Sequence, residues 1–202
     1  RNVFVCAGLW ADRLARRTGA SPDPRIVPFR GVYLRLVRSA SPVVKGMIYP
    51  VPNPQLPFLG VHVTSELDGG VMLGPTAMLV PSRDGYRLTT LRPRDMWETV
   101  TWPGTWRVAQ QHWRTGLTEI RLAVSRRAYV RAAAEYVPSL SITDIDGTFH
   151  SGVRAQAVGR DGSLVDDFVF SGSSSVTHVR NAPSPAATSS FALAREIVDR
   201  GL

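Results

Sequence analysis

The chain has 202 residues, of which 44% are hydrophobic, and this is enough apolar surface for a packed core rather than a disordered chain. Its formal net charge is +8, but Lys45 is the only lysine among 24 basic residues, and the arginines form no clustered basic footprint, so no nucleic-acid partner is expected. The single cysteine, Cys6, excludes an internal disulfide framework and a cysteine-rich metal site, and it favours a reducing, cytoplasmic setting.

The first segment combines a strand, a glycine and a helix. Residues 2–7 form a short β-prone apolar run, Gly8 interrupts it, and apolar residues recur at helical spacing over residues 9–19. Asp12 suits the positive end of the helix dipole, and Gly19 is placed to end the helix. A glycine at such a junction lets the backbone approach a ligand, but a tight turn with nothing bound explains Gly8 equally well.

An antiparallel sheet is predicted between about residues 29 and 80. Residues 29–37 alternate apolar and polar side chains, as a half-buried strand does. Further apolar runs at 43–51, 58–67 and 70–80 are separated by clusters of proline, asparagine, aspartate and glycine. Clusters of this kind typically join antiparallel neighbours.

A helical region follows the predicted sheet. Residues 92–116 carry four of the five tryptophans, and residues 117–136 are predicted to form one helix. The apolar stripe of this helix consists of Ile120, Val124, Ala128 and Ala132, and its other side carries Arg121, Arg126, Arg127 and Arg131. The arginine side is explained either by solvent exposure or by contact with acidic lipid headgroups at the inner face of a membrane. Strands resume at residue 142, and a final helix closes the chain.

No motif for metal, phosphate-loop or serine-hydrolase chemistry is present. The four histidines, His62, His112, His150 and His178, lie far apart in no HxH or HxxxH spacing, so no metal site is expected. The patterns GxSxG, GxxxxGK[ST] and GxGxxG are absent. The sequence also has neither an apolar stretch long enough to cross a bilayer nor the pattern of a signal peptide.

Two strand residues carry chemistry of their own. Arg154 lies in a predicted strand between a glycine and small residues. Its guanidinium either faces solvent or points into a cleft, where it would form a bidentate pair with a carboxylate. His62 alternates with Val61 and Val63, so its side chain faces away from theirs, and this pattern alone is compatible with a surface position.

The tail is typical of a helix start with little side-chain bulk. Ser184 is placed as the N-cap and Pro185 as the first helical residue, and Ala186, Ala187 and Thr188 follow. Backbone N–H groups at such a start attract negative charge, including the charge that develops on the N1 and C2 carbonyl edge of a reduced flavin. Close packing against a neighbouring element is the competing interpretation.

Five longer strings resemble a single enzyme family. They are RIVPFRGVYLRL, KGMIYPVPNPQLPFLGVHVT, LGPTAMLVPSRDGY, GVRAQAVGRDGSLVDDFVF and VRNAPSPAATSS. In this order they closely resemble segments of the FAD-dependent L-2-hydroxyglutarate oxidases and dehydrogenases, which belong with flavoenzymes built like D-amino-acid oxidase and glycine oxidase. The resemblance covers essentially the whole chain.

The resemblance implies an α+β architecture in which a Rossmann-type FAD-binding domain is interrupted by a substrate domain with a mainly antiparallel sheet. Residues 1–27 then correspond to a late strand and helix of the FAD-binding domain. Residues 28–145 correspond to the substrate domain, and residues 146–202 to the C-terminal strands and helix of the FAD-binding domain. Because the half of the family that bears GxGxxG has no counterpart here, the chain is expected to be a C-terminal portion that binds FAD poorly by itself and is catalytically silent.

The resemblance also implies a reaction and its residues. A hydride passes from C2 of L-2-hydroxyglutarate, or of an amino acid or another 2-hydroxy acid, to FAD, with oxygen or a quinone as the electron acceptor. Arg154 matches the arginine that binds the substrate carboxylate in related oxidases, and Arg30 is a second candidate anchor. Tyr49 is expected to line the pocket, and His62 to orient the substrate hydroxyl or accept its proton. The expected cofactor contacts are Gly8, Gly152, Ser184, Ala186, Ala187 and Thr188.

Overall fold

A long antiparallel strand pair organises the fold. The computed structural model describes residues 2–41, 44–51, 60–87, 89–173, 175–183 and 186–201. In chain order the strands are β1 (Val3–Val5), β2 (Arg25–Leu36), β3 (His62–Ser65), β4 (Val71–Gly74), β5 (Met78–Leu79), β6 (Ile145–Val158), β7 (Val169–Gly172) and β8 (Val176–Asn181). The helices are α1 (Ala11–Arg17), α2 (Pro93–Val100), α3 (Pro103–Gln111), α4 (Trp113–Val124), α5 (Arg126–Ala134) and α6 (Ser190–Gly201). The protein is therefore a mixed α/β structure with a mainly antiparallel sheet, as predicted.

The larger sheet has five strands. β2 pairs with β6 along almost its whole length, from Arg25 opposite Val158 to Leu36 opposite Ile145. Along its other edge β2 pairs with β4 and β5 in turn, and β3 extends the sheet beyond β4. A separate three-stranded sheet has the order β1-β8-β7, in which β1 runs parallel to β8.

The larger core cluster of this sheet lies on one of its faces. Side chains alternate across a strand, so Leu34, Val63 and Leu73 point to the same face, where they are fully buried. They pack against Tyr129 and Ala133 of α5. On the opposite face, glycines and polar residues such as Gly31, Gly152 and Arg154 leave the middle of the sheet open, while Val27 and Phe29 are buried at one end.

A second core cluster surrounds Trp102. This residue is 1% exposed, packs with Val27, Phe29 and Val158, and donates its indole N–H to the carbonyl of Val158 at 3.0 Å. A Cβ at Gly104 would lie 2.1 Å from the carbonyl oxygen of Gly159, the residue after β6. Helix α3 therefore approaches the backbone there too closely for any side chain at position 104.

A buried ionic cluster joins α1 to α2. Arg83 is 2% exposed, and its guanidinium donates to both carboxylate oxygens of Asp12, at 2.5 and 3.0 Å. Arg13 donates to Asp95 at 2.5 Å and to Glu98 at 2.8 Å, and the backbone N–H of Arg83 donates to Asp95 at 2.8 Å. Although burial opposes its ionisation, the hydrogen bond and charge of Arg13 lower the pKa of Glu98. We call these five residues the Arg83 cluster.

The helical region differs from its prediction. The single helix expected over residues 117–136 is two helices, α4 and α5, which meet at Ser125. The Ser125 hydroxyl accepts a hydrogen bond from the N–H of Ala128, and serine at such a position favours a new helix start over continuation. The predicted apolar stripe is wrong for Ile120 and Val124, which are 47% and 67% exposed, whereas Ala132 packs against the core beside the buried Tyr129 and Ala133.

Two other boundaries are also corrected. The predicted helix start, Ser184 and Pro185, lies outside the described residues, and residues 186–189 form a turn, so α6 begins at Ser190. In this turn the Ser189 hydroxyl donates to the carbonyl of Ala186. Hydroxyl side chains that bond to a nearby backbone group favour a turn over a helix. Of the strand predicted at 43–51, the described residues 44–51 contribute only a single bridge, between Ile48 and Val63. Residues 52–59 lie outside the described part.

The predicted domain boundaries fall at strands. The boundary between residues 27 and 28 lies inside β2, and the boundary between 145 and 146 lies at the start of β6. The β2–β6 pairing is continuous across the first of these boundaries. The division into domains stays a prediction.

Large apolar side chains are exposed on α2, α3 and α4. On α4 the exposed residues follow helical spacing. Together with an exposed tryptophan on each of the two preceding helices we call them the outer face, which consists of Trp97, Trp106, Trp113, Leu117, Ile120 and Val124. Arg121, Arg126, Arg127 and Arg131 are also exposed. In the described part of the chain, no helix is long and apolar enough to cross a membrane.

Candidate active site

The open face of the larger sheet forms the floor of a cavity of about 1040 Å³. The strand register brings its residues together, since His62 lies opposite Gly74, Gly31 opposite Gly152 and Phe29 opposite Arg154. Paired residues in an antiparallel sheet point to the same side, so His62 and Arg154 share this face although 92 positions separate 62 from 154. Both line the cavity, as do Tyr49, Arg30 and Gly152.

His62 is held against the wall of the cavity. Its ring stacks on Tyr49 with a centroid separation of 4.4 Å, and its Nδ1 lies 3.1 Å from the carbonyl oxygen of Gly60. Burial lowers the pKa of His62 below its ordinary value, and the hydrogen bond to Gly60 only partly opposes this. A neutral ring that donates its Nδ1–H to Gly60 keeps a lone pair on Nε2, which can accept a proton.

Arg154 is half-buried in the middle of β6. Burial lowers its pKa, and the nearby Tyr33 opposes that shift. An arginine side chain is cationic in proteins. Because this one is partly desolvated, it would bind a carboxylate more strongly than it would in water.

Arg30 differs from Arg154 in orientation. It pairs with Val153, the residue next to Arg154, so the register directs its side chain to the opposite face of the sheet. Arg30 is 7% exposed, and neither its Nε nor its Nη1 has a hydrogen-bond partner within the described residues. Burial lowers its pKa. The two arginines proposed as carboxylate anchors thus lie at the same cavity wall but point to different sides of it.

A second cavity of about 390 Å³ adjoins the first. Arg154, Gln156 and Pro183 line both cavities. The smaller cavity is otherwise bordered mainly by small side chains, among them Ala186, Ala187 and Thr188 of the tail. Three of the predicted cofactor contacts therefore lie in one cavity with the predicted substrate arginine.

The remaining predicted cofactor contacts are distributed differently. Gly152 lines the larger cavity, and a Cβ added there would meet no atom within 4 Å, so the floor is open at this point. Ser184 lies outside the described residues. Gly8 borders neither cavity and begins a short 3-10 helix at a φ of +49°, so its backbone conformation alone accounts for glycine.

The sequence prediction missed several residues that line the larger cavity. Gln111 and His112 reach it from the junction of α3 and α4, residues 162–166 from the loop after β6, and Thr76 from the segment between β4 and β5. The Thr76 hydroxyl accepts from the N–H of Val32 at 3.1 Å, and the Thr76 N–H donates to the carbonyl of Val32 at 3.1 Å. Thr76 thus bonds to β2 at the position between the pairings of β2 with β4 and with β5. No local pattern in the sequence predicts this contact. Within the described residues, no three histidine, cysteine, aspartate or glutamate side chains form a metal-binding group.

Comparison with known proteins shows which family the chain resembles. Residues 1–200 match the family model described as FAD dependent oxidoreductase. The chain is 47% identical over 205 residues to the mitochondrial L-2-hydroxyglutarate dehydrogenase of Nematostella vectensis, covering 99% of this chain and 45% of that protein. It is 46% identical to the human mitochondrial enzyme, with coverage of 98% and 43%, and 44% identical to the L-2-hydroxyglutarate dehydrogenase of Escherichia coli K12, with coverage of 98% and 47%.

The fold is also found in a solved flavoenzyme. The chain superimposes on the FAD-bound L-alpha-glycerophosphate oxidase of Mycoplasma pneumoniae with a TM-score of 0.65 at 21% identity, covering 98% of this chain and 41% of that one. The chain spans about half the length of the curated relatives it matches. From the family match over residues 1–200 and these identities, the chain belongs to the family of FAD-dependent oxidoreductases.

Proposed function

We propose that this chain supplies the substrate cavity and one wall of the flavin site in an enzyme that oxidises L-2-hydroxyglutarate to 2-oxoglutarate. The observation that carries the proposal is the position of Arg154. It borders both the cavity that contains His62 and the cavity that contains Ala186, Ala187 and Thr188. A substrate held by Arg154 would lie between a proton acceptor and a wall of small residues.

The residues of the smaller cavity suit the ring end of FAD. Small side chains at 186 and 187 let a planar ring system approach the backbone closely, which bulky residues would prevent. When bound, FAD supplies the hydride acceptor for C2 of the substrate. The chain has no GxGxxG turn, so this proposal assigns it only the ring end of the site.

The protein residues then orient the substrate and manage its proton. Arg154 binds the carboxylate next to C2 through paired hydrogen bonds, which fixes the orientation of the reacting carbon. Neutral His62 accepts the hydroxyl proton as the C–H bond breaks. Tyr49 stacks on the imidazole ring and restricts its orientation.

The test of the proposed function is an anaerobic titration of the FAD-loaded full-length protein. L-2-hydroxyglutarate is expected to bleach the flavin absorbance, whereas D-2-hydroxyglutarate and L-glutamate are not. Bleaching by an amino acid instead would favour the alternative of an amino-acid oxidase in the same family. The 202-residue chain alone, mixed with FAD, is expected to leave the flavin spectrum nearly unchanged.

The pH dependence of the reaction tests the role of His62. Because burial lowers the pKa of this histidine, its neutral form persists as the pH falls below the ordinary histidine value of about 6.5. We expect kcat/KM to stay constant down to that pH and to decline only below it, and His62→Gln to remove the decline together with most of the activity. His150→Gln, at an exposed position, is the control. An acid limb above pH about 6.5 would contradict the assignment.

The outer face favours peripheral contact with a membrane. Exposed tryptophans and aliphatic residues beside arginines are the combination that binds at the boundary between acyl chains and anionic headgroups. We expect the protein to sediment with vesicles that contain anionic lipid, and the double substitution Trp106→Ser, Trp113→Ser to reduce the bound fraction. If the variant and the parent sediment equally, another surface makes the contact. The electron acceptor, oxygen or a quinone, stays part of the proposal.

A further inference from the structure

One wall of the larger cavity is a short segment between β4 and β5, residues 74–77, which we call the 74–77 wall. Pro75, Thr76 and Ala77 all line the cavity. The wall packs directly on the floor, since a Cβ added at Gly31 would lie 2.8 Å from the Cβ of Pro75. A small displacement of this wall would therefore change the shape of the space above Gly31 and Arg154.

Hydrogen bonds from β2 and from α4 hold this wall. Thr76 is bonded to Val32 on β2 through both its hydroxyl and its backbone N–H. Next to the wall, the Tyr129 hydroxyl contacts the carbonyls of Val32 at 2.6 Å and of Leu73, the residue before the wall, at 3.3 Å. At the other end, the N–H of Ala77 donates to Oε2 of Glu119 at 2.6 Å.

Glu119 is an unusual residue for this position. It lies on α4, is 9% exposed and forms no ion pair within the described residues. Burial raises its pKa, and the hydrogen bond from Ala77 opposes this shift. A buried carboxylate without a cation costs stability, and an apolar residue would pack in its place at a lower cost.

The contact also connects distant parts of the chain. Glu119 and Ala77 are 42 positions apart, and Glu119 does not belong to the lining of the cavity. Glu119 is therefore not placed to contact a molecule in this cavity, and the one hydrogen bond of its side chain within the described residues comes from the backbone of Ala77, which does line the cavity. We propose that Glu119 is a positioning residue, which fixes the 74–77 wall and so sets the affinity for the 2-hydroxy acid; this role in affinity rests on the proposed function.

Kinetics of the FAD-loaded full-length protein test the proposal. Glu119→Leu removes the acceptor and is expected to raise KM about tenfold while kcat changes by less than about twofold, since the reacting groups are untouched. Glu119→Gln keeps an oxygen that can accept from Ala77, and its KM is expected to stay near that of the parent. Ala123→Gly is the matched control, because it weakens the same helix at a buried residue whose side chain has no group that can accept a hydrogen bond from Ala77.

Hydrogen exchange gives a readout that does not depend on activity. Glu119→Leu is expected to accelerate exchange at the Ala77 amide, and Glu119→Gln and Ala123→Gly to leave it protected. If the parent protein is not reduced by L-2-hydroxyglutarate, the proposed function fails, while the exchange result still decides whether Glu119 holds the wall.

Three outcomes would overturn the proposal. They are unchanged exchange at Ala77 in Glu119→Leu, an equal rise of KM in Ala123→Gly, and a rise of KM in Glu119→Gln as large as in Glu119→Leu. If Glu119→Leu does not fold, Glu119→Asp replaces it, because its carboxylate is one methylene short of Ala77. We then expect the same rise of KM and the same faster exchange with the charge retained, and parental values for both would contradict the role.

Discussion

Replacing Asp12 with alanine is expected to lower the free energy of unfolding by about 3 to 5 kcal/mol, because it leaves the buried charge of Arg83 without its main partner. Asp12 and Arg83 are 1% and 2% exposed, so water cannot take the place of the lost carboxylate. Glu98 remains 3.3 Å from Arg83, but it is already bonded to Arg13. Urea denaturation of the parent and the variant measures the change.

Two further variants separate the loss of the pair from other effects. Asp12→Leu combined with Arg83→Met removes both charges, and it is expected to recover most of the stability because neither group is then left buried and unpaired. Glu196→Ala breaks the exposed pair with Arg200 and is expected to cost less than about 0.5 kcal/mol. A cost below about 1 kcal/mol for Asp12→Ala would show that the Arg83 cluster relaxes around the missing group.

Replacing Arg154 with methionine is expected to lower kcat/KM for L-2-hydroxyglutarate roughly 30- to 700-fold, which corresponds to a loss of about 2 to 4 kcal/mol of binding to the transition state. Methionine preserves the apolar stem and removes the paired hydrogen bonds to the carboxylate. The kcat/KM of Arg154→Lys is expected to lie between the values of the parent and of Arg154→Met, since an ammonium keeps the charge but cannot form the bidentate pair. Steady-state kinetics of the FAD-loaded full-length protein give the values.

The control for Arg154 is another arginine on the same sheet face. Arg35 pairs with Glu66 and Asp68 and does not line the cavity, so Arg35→Met is expected to leave kcat/KM nearly unchanged. Equal losses in both variants would indicate a general effect of positive charge on substrate approach. Unchanged kinetics in Arg154→Met would remove this residue from the substrate site.

Local patterns in the sequence predicted much of the sheet and little of the helical region. The alternation along residues 29–37 predicted β2 from Phe29 onward but not its first four residues. The alternation around His62 placed its side chain opposite the buried Val61 and Val63. Helical spacing over residues 117–136 was misleading because the Ser125 hydroxyl caps a new helix. The spacing of apolar residues contains no information about such a cap. The start of α6 was misplaced for a similar reason, since serine hydroxyls bond locally in the preceding turn.

The arrangement of the site residues depends on strand register and tertiary packing, which the sequence pattern alone does not give. Arg154 and the tail were identified through family resemblance, and the structure brings them to one cavity. The opposite orientations of Arg30 and Arg154 follow from a pairing that no single strand reveals. Gln111, His112 and Thr76 reach the cavity by tertiary packing, and nothing in their immediate neighbours distinguishes them.

The unbroken β2–β6 ladder makes the floor of the larger cavity continuous. Ten consecutive residue pairs join the strands from Arg25 opposite Val158 to Leu34 opposite Phe149, and they span the floor of the larger cavity. Bending the protein at this crossing would break several backbone hydrogen bonds at once, so the strand pair does not act as a hinge. The loop at 162–166 and the α3–α4 junction at Gln111 and His112 border the cavity without belonging to the ladder, so a change in their positions would not break any of these ten pairs.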